Sequence, residues 1–338
     1  MSSIREGETK SMLPEGFTED QLLPLTRTAP VTARSSVTAS AQDVARGYVA
    51  FTSSRRAGVL TPSLTPRFDH VFPSKARTVK LSADAKRMGV LVESTLHRFD
   101  IETSAQHAPV DIQRGEYQLE DVLLENDLGL WLLLTADNGV SVRLEHLSPS
   151  GEVTLTRDFD GRAYCGYLLS LQPNGSPLVW GADGGDGCVM WSSALEGNAL
   201  RLWRWQREEL YLCSFSPNGA EALLVDNGAL ERVAFPDQAL IAKGEFPEQD
   251  WNRLEQAAYL SSDYAVVSTS EGRLFGCDLG TMTFDAELLV DGYTPTTRRR
   301  ETHLCTLLSL VPGRSPGDLL LCGDGEILRV DTARWLRD

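Results

Sequence analysis

The chain has 338 residues, 42% hydrophobic and 23% charged, the make-up of an ordinary globular protein able to bury a sizeable core. Its 47 acidic and 32 basic residues give a formal charge of −15, which repels nucleic-acid phosphates and anionic lipid heads and argues against both as partners. None of the six cysteines (Cys165, Cys188, Cys213, Cys277, Cys305, Cys322) forms a Cys-x-x-Cys pair, so no zinc or redox site is expected, and they read as buried hydrophobes in a reducing compartment.

In chain order, residues 1–20 are polar and charged, without the apolar core a signal peptide needs, and read as a flexible tail. The longest apolar stretch, 128–134, is too short to span a bilayer. A cytoplasmic location is the expectation. From residue 21 to 338 the chain reads as one domain of short apolar runs separated by turn chemistry. First strands are expected near residues 32, 76, 119, 167, 210, 256 and 305. In each unit an apolar strand, a turn, a second apolar strand, a glycine turn, a third strand and a more polar fourth strand follow in order. The unit at Leu210–Phe215 shows the plan most clearly. Ser216-Pro217-Asn218-Gly219 makes its first turn and Asp226-Asn227-Gly228 its second, because Asn and Gly tolerate the positive φ that tight hairpins need. No segment carries a sustained 3.6-residue apolar period with caps, so little helix is expected.

The second turn recurs at Ser94, Gly139, Gly187, Gly228, Gly272 and Gly325, in steps of 45, 48, 41, 44 and 53 residues. A period near 40–45 residues with one small sheet per period predicts an all-β fold, a single β-propeller of seven four-stranded blades. After the last third strand, 326–332, only six residues remain, too few for a fourth strand. The missing strand is expected from the N-terminus, over 21–28, closing the ring and removing its open edges.

Cys213-Ser214-Phe215-Ser216-Pro217-Asn218-Gly219, together with Leu168 to Gly175, resembles the strand-one motif of the WD40-like propeller superfamily. Phe99-Asp100, Cys277-Asp278 and Val330-Asp331 stand where that family has Trp-Asp. No Trp-Asp or Gly-His dipeptide occurs, so the family's buried Asp-His-Ser-Trp network transfers to no blade. The resemblance implies a rigid disc that holds other macromolecules. Six-bladed calcium-dependent lactonase propellers and quinone-type propellers are the alternative relatives.

Candidate chemistry is sparse. The five histidines (His70, His97, His107, His146, His303) accompany no Gly-x-Ser-x-Gly elbow. Asp183-Gly184-Gly185-Asp186-Gly187 lacks the ligand spacing of an EF-hand and reads as a hairpin connection. Trp203 and Trp205, flanked by Arg201, Arg204 and Arg207, share one face of a strand and read as packing on an outer strand. No cofactor or metal is expected.

The interaction candidates are two connections from fourth to first strands. One runs from Gly244 through Trp251, and the other from Asp291 through Tyr293, Arg298, Arg299 and Arg300 to Glu301. An acidic loop with a tryptophan beside a basic loop makes a bipolar docking surface on one face. The expectation is a non-catalytic scaffold, a monomeric propeller that binds one or more proteins through Trp251, Tyr293, Arg298, Arg299 and Arg300. A hydrolase-, lyase- or lactonase-type propeller enzyme is the alternative, and an acidic inhibitor or immunity-type protein a lesser one.

Overall fold

The computed structural model describes residues 22–24, 31–36, 40–45, 47–161, 166–171, 176–183, 187–196, 199–205, 211–226, 228–235, 237, 239–246, 253–270, 272–289, 309–312, 317–323 and 326–332. Two strands come first, β1 (Leu22–Pro24) and β2 (Val31–Ser36). Sheet one follows with β3 (Ser40–Ala45), β4 (Tyr48–Ser53), β5 (Arg56–Leu60) and β6 (Pro66–Val71). Sheet two holds β7 (Ala76–Leu81), β8 (Arg87–Val92), β9 (Thr95–Asp100) and the two-residue β10 (Val110–Asp111). Sheet three holds β11 (Gln118–Leu124), β12 (Leu130–Ala136), β13 (Ser141–Leu147) and β14 (Val153–Asp160). Sheet four holds β15 (Gly166–Leu171), β16 (Pro177–Asp183), β17 (Gly187–Glu196) and β18 (Ala199–Trp205). Sheet five holds β19 (Tyr211–Phe215), β20 (Glu221–Val225), β21 (Ala229–Ala234) and β22 (Leu240–Glu245). Sheet six holds β23 (Leu254–Tyr259), β24 (Tyr264–Thr269), β25 (Leu274–Asp278) and β26 (Thr283–Leu289). Sheet seven holds β27 (Ser309–Pro312), β28 (Asp318–Gly323) and β29 (Glu326–Asp331). Each is an antiparallel meander paired in sequence order.

The sheets stack on one another in a propeller arrangement, and the apolar core lies between them. Phe68 and Val59 of sheet one meet Val79, Val90 and Phe99 of sheet two. Leu91 and Leu96 of sheet two meet Val122, Leu132 and Leu134 of sheet three. The same holds between sheets three and four, four and five, five and six, and six and seven. Strands inside a sheet are therefore covered on both faces. This is why β12 reads Leu-Trp-Leu-Leu-Leu-Thr-Ala with its first six residues buried, rather than alternating. Outer strands meet solvent, and β14 is exposed along most of its length. Each fully buried Leu or Val contributes roughly 1.5–3 kcal/mol, so the many seams together dominate stability. Among the described residues the only helical element is the 3-10 turn Asp137–Gly139. None is long and apolar enough to cross a membrane.

The recurrent glycine turn joins the second strand to the third. Gly139 precedes β13, Gly187 opens β17, and Gly228 and Gly272 precede β21 and β25. Ser94 takes the same place before β9.

Two expectations about the N-terminus are corrected. The first inner strand is β3 at 40–45, not a strand near 32. Gly47, at φ 78, turns directly into β4, so the strand it closes must end at Ala45. That frees β2 to complete sheet seven by pairing antiparallel with β29, from Val31 opposite Val330 to Ser36 opposite Glu326. The closing strand is therefore 31–36 and not 21–28. Its six residues match the length of β29, and Leu22–Pro24, the described part of the expected segment, is engaged elsewhere. That strand instead runs parallel to the end of β26, Leu22 opposite Glu287, as a fifth strand on sheet six.

Candidate functional site

First strands of neighbouring sheets contact one another from β3 through β7 and β11 to β15 and from β19 through β23 to β27, as strands lining a propeller axis do. Here side chains that enzymes would use for chemistry serve the wall. β-bulges after Leu119, Leu212 and Leu254 interrupt β11, β19 and β23, and the residue past each bulge is polar: Asp121, Ser214 and Gln256. Each accepts the backbone N–H of the next sheet's first strand. Leu169 N donates to Asp121 Oδ2 at 2.9 Å, Tyr259 N to Ser214 Oγ at 3.3 Å, and Leu310 N to Gln256 Oε1 at 2.8 Å. The buried Asp121 is neutralised by Lys80 Nζ at 2.8 Å, as a buried charge requires.

A second recurrent bridge starts from the fourth residue of third strands. Arg232 on β21 grips Glu221 with two bonds, 2.6 and 2.9 Å, and its Nη1 donates to Leu279 O of the next sheet at 2.9 Å. Arg329 on β29 pairs with Asp318 and reaches Pro62 O of sheet one, so it also closes the ring. Arg98 on β9 pairs with no carboxylate among the described residues. It is 1% exposed and donates to Leu128 O at 2.8 Å, Pro149 O at 2.9 Å and Ala108 O at 2.7 Å. The spacing Leu96-x-Arg98-Phe99, Leu230-x-Arg232-Val233 and Ile327-x-Arg329-Val330 carries this signal in the sequence, and Arg98 and Arg329 stand one residue before Phe99-Asp100 and Val330-Asp331.

Those aspartates that end third strands have a local role. Asp100 Oδ1 accepts the N–H groups of Glu102 and Thr103 at 2.9 and 2.8 Å. Asp278 Oδ1 does the same for Gly280 and Thr281 at 2.9 and 2.8 Å. These Asx turns start the connection to the fourth strand. The N–H groups they accept, Thr103 and Thr281 first, hold both carboxyls below the usual aspartate range.

In sheet three, His146 bonds Thr154 Oγ1 through Nδ1 at 2.5 Å and Glu125 Oε2 through Nε2 at 2.9 Å. Trp131 Nε1 donates to Glu125 Oε1 at 2.9 Å and its ring packs on His146. The order hydroxyl–imidazole–carboxylate resembles an activated nucleophile, yet Thr154 Oγ1 also donates to the His146 carbonyl at 3.1 Å. Glu125 shares its charge with the indole, and the chain ties β12, β13 and β14 to the first turn of their sheet. His70 and His97 lie in the seam of sheets one and two among Phe68, Phe72 and Phe99. Burial, then His70, lowers the His97 imidazole. The Cys213 and Cys277 thiols are pushed up to about 12 by burial, which makes them poor nucleophiles. Among the described residues no three His, Cys, Asp or Glu side chains gather as a metal site.

Trp251, Tyr293, Arg298, Arg299, Arg300 and His303 lie outside the described residues. Their flanking strands are described. Residues 246–253 join β22 to β23, and 290–308 join β26 to β27, so both are fourth-to-first connections of adjacent sheets. The stem of the first is firm. Phe246 is buried against Phe275 and Phe284, which corrects its place in the expected docking loop to the core. Ser270 N donates to Arg253 O at 2.8 Å at the other end. The stem of the second is braced by the buried pair of Arg273 with Glu287, 2.7 and 2.5 Å. Asp183 and Gly187 face each other across the β16–β17 hairpin, while 184–186 lie outside the described residues. Trp203 and Trp205 are on β18, the outermost strand of sheet four.

Fold and wall together define an all-β propeller whose described inner polar groups hold one sheet to the next. No family model and no curated protein matches the chain.

Proposed function

We propose that the protein is a non-catalytic interaction scaffold, each of its seven sheets one blade of a WD40-like propeller. The observation that carries this reading is the pairing of the two long connections. Both leave fourth strands of adjacent sheets, so both emerge on the same side of the ring, above stems anchored by Phe246 and by Arg273–Glu287. Trp251 on the acidic connection, with Tyr293 and Arg298–Arg300 on the basic one, then gives one protein-docking surface with both signs of charge and two aromatic anchors. A cytoplasmic monomer with a protein partner fits this reading.

The test is affinity capture from the native source followed by equilibrium binding of the stoichiometric partner. Reversing Arg298, Arg299 and Arg300 to Glu is expected to weaken binding by about a hundredfold or more, with unfolding unchanged. Retention of full affinity removes this surface from consideration.

A further inference from the structure

A cavity of about 210 Å³ opens in the seam of sheets one and two, on the side of the ring where first strands turn into second strands. Tyr48 and Arg67 line it from sheet one, and Asp84, Ala85, Lys86, Ile101 and Glu102 from sheet two. Two basic and two acidic residues thus line one small space with no net charge.

Elsewhere in these two sheets Arg56, Arg87 and Arg98 are spent on carboxylates or carbonyls. The charged side chains around this cavity are not. The side chains of Arg67, Lys86 and Glu102 form no ion pair or hydrogen bond among the described residues, and Asp84 commits only one oxygen. That oxygen, Oδ1, accepts Ser82 Oγ at 2.6 Å and Lys86 N at 3.0 Å, and Asp84 N donates to Asn126 Oδ1 at 3.0 Å. The turn is therefore fixed from both sides and presents Asp84 Oδ2 in one orientation. Ile101 N donates to Lys86 O at 2.9 Å, fixing the second wall.

The same turn in sheet five is built alike but carries other side chains. Ser216, Asn218 and Gly219 repeat the bonds of Ser82, Asp84 and Ala85, with neutral Asn218 for Asp84 and Ala220 for Lys86. At the glycine position, φ is 71 in sheet five and 57 in sheet two, where Ala85 holds a conformation that a Cβ disfavours. Its buried methyl lines the cavity, so a glycine there would relax the backbone and enlarge the space.

We propose that this seam cavity binds a small zwitterion of the α-amino-acid class. Arg67 and Lys86 take its carboxylate by charge-assisted hydrogen bonds, and Glu102 and Asp84 Oδ2 take its ammonium. Tyr48 and Ile101 supply the apolar contact. The volume lies below the roughly 300 Å³ at which drug-sized sites begin, which limits the occupant to about one amino acid. A ligand with one charge leaves the opposite pair unanswered, and this sets the specificity. The site is independent of the docking loops, and either reading can fail without the other.

The experiment is a titration of the full-length chain with single L-amino acids, read from the backbone amide resonances of Ala85, Lys86 and Glu102. The N-acetylated and C-amidated forms of each serve as probes, and Arg67→Ala and Glu102→Gln as variants. Both substitutions are at exposed side chains and are expected to leave the unfolding midpoint in place. At least one free amino acid is expected to shift these resonances saturably in the millimolar range or below. Capping either end, and either substitution, should weaken it about tenfold or more. The proposal is overturned if no free amino acid saturates, if capped forms bind as well as free ones, or if the variants bind unchanged.

Discussion

Sheets two and five carry the same first turn and the same third-strand arginine, and they use them differently. In sheet five the turn Ser216–Glu221 ends in an acid, and Glu221 holds Arg232 while that arginine reaches the next sheet's carbonyl at Leu279. In sheet two the turn Ser82–Arg87 ends in a base. Arg87 pairs with Asp100 instead, and Arg98 is left to satisfy its charge with three carbonyls in the seam. Burial lowers the Arg98 guanidinium from its ordinary value, the expected cost of a cation without a carboxylate. The position in the repeat keeps its task of bridging to the next third-to-fourth turn, while the partner changes with one residue, 87 or 221.

The sharpest way to break this comparison is Arg98→Met. It removes the buried cation and the donor that ties the Leu128, Pro149 and Ala108 carbonyls together, so unfolding free energy should fall by about 2 kcal/mol in a denaturant titration. A loss below about 1 kcal/mol would mean that the buried arginine merely offsets its own desolvation.

Glu221→Gln is expected to cost less, about 1 kcal/mol at pH 7, because the pair is partly exposed. The Arg232 hydrogen bond is the main reason the Glu221 carboxyl sits below the usual glutamate range. A depressed carboxylate contributes stability that is full above the unfolded value near about 4.3 and is lost as pH falls through the folded one. The gap between parent and Glu221→Gln should therefore close on acidification, whereas the Arg98→Met gap should persist through the same window. If both gaps respond alike, the two arginines are not held differently.

The smallest effect separates the two turns. Gly219→Ala should destabilise by roughly 1 kcal/mol, since its φ of 71 suits glycine, and thermal unfolding should show the shift. Ala85→Gly should change stability by about 0.5 kcal/mol or less, relief of strain being offset by greater freedom of the unfolded chain and by the lost methyl contact.

Much of this frame can be read before any coordinates. Asp226-Asn227-Gly228 and Ser216-Pro217-Asn218-Gly219 announce hairpins because positive φ is a local demand. Ser82-Ala83-Asp84-Ala85 makes the same turn and escapes notice, since alanine stands where glycine is sought. Arg98 and Arg329 sit one residue from Phe99-Asp100 and Val330-Asp331, and Arg232 follows the Gly228 turn, yet an isolated arginine on a strand carries no sign of its partner. Asp121, Ser214 and Gln256 are harder still. Their acceptors serve strands 48, 45 and 54 residues away, and a bulge has to aim them.

The sequence by itself determined the order of strands, the place of the second-to-third turns and the all-β class, because turn chemistry and apolar run length act within a few residues. Only the tertiary structure decided that 31–36 closes the last sheet while 22–24 augments the sixth. It alone also decided which charged side chains are spent in the seams and which, at Arg67, Lys86 and Glu102, are left facing open space. Those outcomes depend on how one sheet stacks on the next, and stacking brings together residues that no local pattern relates.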